Sequence, residues 1–141
     1  MKNWRLGETE CEWIDERWIE ELLWCPSQCY RRIKCNGKVY TLYLRWRWED
    51  PWQFKVAEGD MLASSLLVLD LRTGEAGALK DIDKKGNFII EPLKWRFVTD
   101  DLFEKYGCFF IMDEYKEAEK KAEELFFKWL KEASKSEREG N

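Results

Sequence analysis

A chain of 141 residues, 45% apolar and 37% charged, fits one folded domain and is too apolar to be disordered throughout. A formal net charge of −4 argues against a wholesale basic binder of nucleic acid or anionic membrane. The absence of histidine removes the commonest general base and the commonest metal ligand. No apolar run of about 18 residues spans a membrane, and Met1–Arg5 is not followed by a signal-peptide core. The expectation is a cytoplasmic protein with no membrane partner. The high Lys and Glu content would fit a thermophilic source.

The nine Trp, eight Phe and five Tyr fill a core in few positions, but each Trp brings an N–H that needs a partner. Surface aromatics are therefore expected as well. Charge is also unevenly placed. Glu8, Glu10, Glu12, Asp15, Glu16, Glu20 and Glu21 face only Arg17 in their stretch, whereas Arg31, Arg32, Lys34, Lys38, Arg45 and Arg47 make the next stretch basic.

Thr9-Glu10-Cys11-Glu12 has the form of a capping box. Ile14, Trp18 and Leu22, with Ile19 and Leu23, then recur at helical spacing up to Cys25-Pro26. This predicts an amphipathic helix at about residues 10–24. Asn36-Gly37 predicts a two-residue type I′ hairpin, since both residues tolerate positive φ. That turn sets the register: Cys35 opposite Lys38, Ile33 opposite Tyr40, Arg31 opposite Leu42, Cys29 opposite Leu44. Alternation then sorts the side chains. Cys29, Ile33, Cys35, Tyr40, Leu42, Leu44, Trp46 and Trp48 form a core face, with Arg31 as its exception. Tyr30, Arg32, Lys34, Val39, Thr41, Tyr43, Arg45 and Arg47 form a basic, aromatic face.

Further on, Trp52, Phe54 and Val56 alternate, residues 61–65 can form a helical turn, and Leu66–Leu71, Ala78–Ile82 and Phe88–Val98 read as strands, the last interrupted by Pro92. Thr99-Asp100-Asp101 can cap a short helix ended by Gly107, and Cys108–Met112 can be a last strand. A long helix follows at about 113–134, with Tyr115, Ala118, Ala122, Leu125, Phe126, Trp129, Leu130 and Ala133 on one stripe. The predicted fold is α+β: an antiparallel meander of about five to seven strands with a helix at each end. A single domain would cover residues 1–135, with a polar tail at 136–141.

Three constellations carry possible chemistry. Cys25-x₃-Cys29 offers one ligand pair, but zinc sites need two, and no second close pair exists among the five cysteines. Buried reduced thiols are the favoured reading over disulfides, and no metal or other cofactor is expected. Leu69-Asp70-Leu71-Arg72-Thr73-Gly74 and Trp24-Cys25-Pro26 resemble elements of PD-(D/E)xK nucleases. The resemblance implies paired carboxylates on a divalent ion. Arg72 stands where the family has lysine, and the cysteines expected late in the chain are missing. The order helix, meander, helix resembles the helix-grip pattern, which implies a carrier holding an apolar ligand between sheet and C-terminal helix.

The third constellation is the hairpin face itself, with Tyr30, Arg32, Lys34, Tyr43, Arg45 and Arg47 as binding residues. Cations flanking aromatic rings can hold a single-stranded nucleic acid or an acidic protein. The negative net charge favours the protein. The leading expectation is thus a non-catalytic interaction module with no catalytic residues. The carrier and the nuclease are its alternatives.

Overall fold

The computed structural model describes residues 4–21, 27–46, 52–63, 67–69, 71, 73–74, 76–98, 109–110 and 115–139. In chain order these form strands β1 (Trp4–Leu6), β2 (Thr9–Trp13), β3 (Ile19–Glu21), β4 (Ser27–Cys35), β5 (Lys38–Trp46) and β6 (Trp52–Glu58). A 3₁₀ turn at Met61–Ala63 follows, then β7 (Leu67–Leu69), β8 (Ala76–Ile82), β9 (Phe88–Glu91), β10 (Arg96–Phe97), β11 (Phe109–Phe110) and helix α1 (Tyr115–Glu139).

The β4–β5 hairpin is the centre of the fold. Asn36 and Gly37 take φ of 49° and 81°, as a type I′ turn requires. The strands pair without a slip from Cys35↔Lys38 to Ser27↔Trp46, in the register the turn predicts. Asn36 does more than turn the chain. Its N–H donates to the Glu10 carbonyl at 2.8 Å, and its Oδ1 accepts the Glu10 N–H at 2.8 Å, tying the tip to β2.

Around this hairpin the main antiparallel sheet runs β1-β2-β4-β5-β6-β10, with β3 also on β4 and β11 on β6. A second sheet, β7-β8-β9, is a small meander. The inward face of the main sheet meets α1. Cys29, Ile33, Cys35, Tyr40, Leu42, Leu44, Phe54 and Val56 are buried against Ala118, Ala122, Leu125, Phe126, Trp129 and Leu130. The small residues Ala118 and Ala122 let the helix approach, and Phe126 fills the space beside Tyr40, with ring centroids 5.6 Å apart. Arg31, the polar exception on this face, reaches Glu123 of α1 and lies 3.7 Å over the Trp13 ring. Trp46 packs beside this core, and Trp48 lies outside the described residues.

The helix expected at residues 10–24 does not form. Residues 9–13 and 19–21 are strands, and residues 22–24 lie outside the described residues. The helical spacing from Ile14 to Leu22 competes with a period of two in Glu8-Thr9-Glu10-Cys11-Glu12-Trp13, and the period of two prevails for a tertiary reason. The outer edge of β4 would otherwise expose a row of unpaired N–H and C=O groups. β2 satisfies part of it, with Cys11 opposite Cys35 and Trp13 opposite Ile33; β3 pairs with Gln28–Tyr30, and between them the Arg32 carbonyl accepts the Ile14 N–H while its N–H donates to the Asp15 carboxylate. Thr9, expected as the cap, is instead a buried strand residue. The described strands therefore exceed the five to seven expected. The stretch Phe88–Val98 divides at Pro92 into β9 and β10, which belong to different sheets. At the C-terminus the helix continues to Glu139, through most of the segment expected as a polar tail. The turn at 61–63 agrees with expectation. The short helix read after Thr99 lies outside the described residues.

Candidate functional site

Two places in the fold gather polar chemistry. The first is the outward face of the hairpin. Tyr30 and Tyr43 are directly opposed across β4 and β5, with ring centroids 5.3 Å apart. Both hydroxyls donate to Gln28 Oε1, at 3.2 and 2.7 Å. Burial, and secondarily the negative charge of Glu21, push the Tyr30 hydroxyl up to about 12. Phe97 of β10 lies 6.0 Å from the Tyr43 ring, and Lys55 Nζ sits 4.8 Å over Phe97. Tyr43 is consequently buried, while Tyr30 is half-buried.

Arg32 is committed to the fold. Its Nε and Nη2 donate to the two oxygens of Asp15 at 3.0 and 2.8 Å, and its Nη1 donates to Asp60 at 2.9 Å. Burial opposes ionisation of Asp15, but hydrogen bonds from the Arg32 side chain and backbone outweigh it and hold the carboxyl below its ordinary value. The same bonds raise Arg32. Lys34 is exposed and Arg45 is half-buried, and among the described residues neither makes an ion pair. Arg47 lies outside the described residues.

The face thus brings together Tyr30, Tyr43, Lys34 and Arg45, with Arg32 anchored to Asp15 and Asp60. Sequence reasoning missed Gln28, Lys55 and Phe97. Gln28 follows from the hairpin register, as the neighbour of Arg45. Lys55, opposite Tyr43, requires the β5–β6 pairing. Phe97 comes from a strand remote in sequence, which no local pattern announces.

The second place is buried. Glu20 and Cys29 are opposed across β3 and β4, and the second turn of α1 brings Glu119 onto them. One ligand atom from each of Glu20, Cys29 and Glu119 lies within 4.8 Å of the others. The Lys116 ammonium, one turn back, donates to Glu20 Oε1 at 3.2 Å and lies 3.6 Å from Glu119 Oε1. Both Oε2 atoms are buried without a hydrogen-bond partner. The Glu119 side chain is only 5% exposed. Burial, followed by the charge of Glu20, pushes the Glu119 carboxyl up to about 7. Burial and the two carboxylates push the Cys29 thiol up to about 12.

This cluster was invisible to a helical reading of residues 10–24, in which Glu20 was one of the acids between the apolar positions. Its signal is inverted alternation in β3, where Ile19 is exposed and Glu20 faces inward. The other buried thiols, Cys11 and Cys35, sit side by side across β2 and β4, both free and both raised by burial. The pair read as Cys25-x₃-Cys29 cannot be placed, because Cys25 lies outside the described residues, as do Cys108, Asp70 and Arg72.

No protein-family model matches the chain, and neither a curated protein nor a solved structure matches it. No helix among the described residues is long and apolar enough to cross a membrane.

Proposed function

We propose that this chain is a non-catalytic interaction module that binds an acidic protein segment through the outward face of the β4–β5 hairpin. Tyr30, Lys34, Arg45 and Arg47 would make the contact, and Arg32 and Tyr43 would hold the face in shape. One observation carries the reading. The fold spends Arg32 on two aspartates yet leaves Lys34 and Arg45, on the same face, without an ion pair among the described residues. Cations without an internal partner on the same sheet face as a rigid aromatic pair are suited to steering and registering an anionic partner.

A protein is favoured over single-stranded nucleic acid on two grounds. Net charge is −4, and Tyr43, which would have to stack a base, is covered by Phe97. The carrier alternative gains no support, since the rings of Tyr40, Phe126 and Trp129 pack on one another between sheet and helix.

The test is the double substitution Lys34→Glu with Arg45→Glu. Lys34 is exposed and Arg45 half-buried, and neither makes an ion pair among the described residues, so the melt should shift by no more than about 1 kcal/mol equivalent. Binding of labelled polyglutamate should weaken, most at low salt, where screening is least. Arg32→Ala should instead cost about 1–3 kcal/mol of stability, because the half-buried Asp15 loses both side-chain bonds and keeps only the N–H of residue 32. Polyglutamate binding unchanged by the double substitution would refute the proposal. Tighter binding of an oligothymidylate, lost on Tyr30→Ala, would assign the face to nucleic acid instead.

A further inference from the structure

We propose that Glu20, Cys29 and Glu119 form a binding site for one borderline-soft divalent transition-metal ion, zinc by its chemistry, which clamps the start of α1 to β3 and β4. The site is independent of the hairpin face and uses none of its residues.

Three observations converge. The first is geometric. The three ligand atoms come from three separate elements and already lie within 4.8 Å of one another. Zinc–sulfur and zinc–oxygen bonds of about 2.3 and 2.0–2.2 Å would set the ligand atoms roughly 3.3–3.6 Å apart, a closure that side-chain rotation can supply.

The second observation concerns unused bonding capacity. Lys116 takes Oε1 of both carboxylates and leaves Oε2 of both buried without a partner. A buried carboxylate oxygen without a hydrogen bond is costly, and one bound cation would satisfy both Oε2 atoms at once. On Glu119 it belongs to a side chain that is only 5% exposed.

The third is charge. With the ion bound, both carboxylates ionised and Cys29 deprotonated, the ligands would carry three negative charges against the one positive charge of Lys116. A single divalent cation makes the buried group neutral, so no charge is stranded in the interior.

The donor set selects the ion. Magnesium and calcium take oxygen ligands only, whereas a thiolate with two carboxylates fits zinc or cobalt. Three protein ligands leave a fourth position for water. The ion would replace the Cys29 proton, and a cation bound at that sulfur reverses the effect of burial on the thiol.

The experiment uses the full chain, reduced, stripped with chelator and then titrated with Co²⁺. The expected result is one Co²⁺ per chain, with a thiolate-to-cobalt charge-transfer band in the near ultraviolet that one equivalent of Zn²⁺ abolishes. Cys29→Ser should lose the band. Cys35→Ser, which removes a buried thiol outside the cluster, should keep it. Glu20→Gln is less disruptive because the Glu20 side chain is 22% exposed; it should lower the apparent affinity at least tenfold even if Cys29→Ser fails to fold. Absence of one-to-one binding, a band that survives Cys29→Ser, or an affinity unchanged by Glu20→Gln would each overturn the site.

Discussion

Glu119→Gln in the presence of chelator isolates the energetics of the buried acid pair. The substitution keeps the shape of the side chain and removes its titration. In the folded chain the Glu119 carboxyl is raised from an ordinary 4.5 to about 7, first by burial and then by the charge of Glu20. The folded state therefore holds a proton that the unfolded state releases between those values, and stability falls as pH rises through that window. Below about 4.5 both states are protonated and above about 7 both are ionised, so the loss is confined to the interval and persists above it. At 1.36 kcal/mol per pH unit the full interval corresponds to about 3 kcal/mol. Since Glu20 shares the interaction, a net loss of roughly 2–3 kcal/mol is expected from this group. Urea unfolding at a series of pH values from 5 to 8 measures it. The difference in unfolding free energy between the parent and Glu119→Gln should move in favour of the variant as pH rises. Parallel curves for the two proteins would refute the buried-pair reasoning.

Gly37→Val should cost about 1–2 kcal/mol from positive φ alone, because nothing lies within 4 Å of the added Cβ; an unchanged thermal melt would contradict the turn. Gly59→Ala should cost more. Its φ is 114°, and the new Cβ would meet the Lys94 carbonyl at 2.6 Å, so a melt equal to that of Gly37→Ala would count against the close approach of β6 to the segment before β10. Thr41→Val removes a hydroxyl that donates to the Gly59 carbonyl at 2.8 Å and accepts the Met61 N–H at 3.1 Å. A loss of about 1–3 kcal/mol is expected in denaturant unfolding. Phe126→Ala should remove about 3–5 kcal/mol, because a fully buried ring leaves a cavity between helix and sheet.

What could be read from the sequence alone was whatever short-range physics controls. Asn36-Gly37 has one comfortable conformation, and with it came the whole register of β4 and β5 and the two faces of the hairpin. The apolar stripe from Ala118 to Leu130 likewise has a period that only a helix satisfies. Tertiary structure decided the rest. Residues 9–21 contain both a helical and a strand period, and the choice was made by the open edge of β4, whose backbone groups needed partners from β2 and β3. The pairing of Arg32 with Asp15 and Asp60 turned one expected contact residue into a structural one, because both acids are remote from Arg32 in sequence and only the folded chain brings them to it. The cluster of Glu20, Cys29 and Glu119 joins residues 90 and more positions apart, since Glu119 meets the other two only once α1 has packed across the sheet. Local propensity acts over a few residues, whereas burial and backbone pairing act over the whole fold, and they prevail where the local preference is divided.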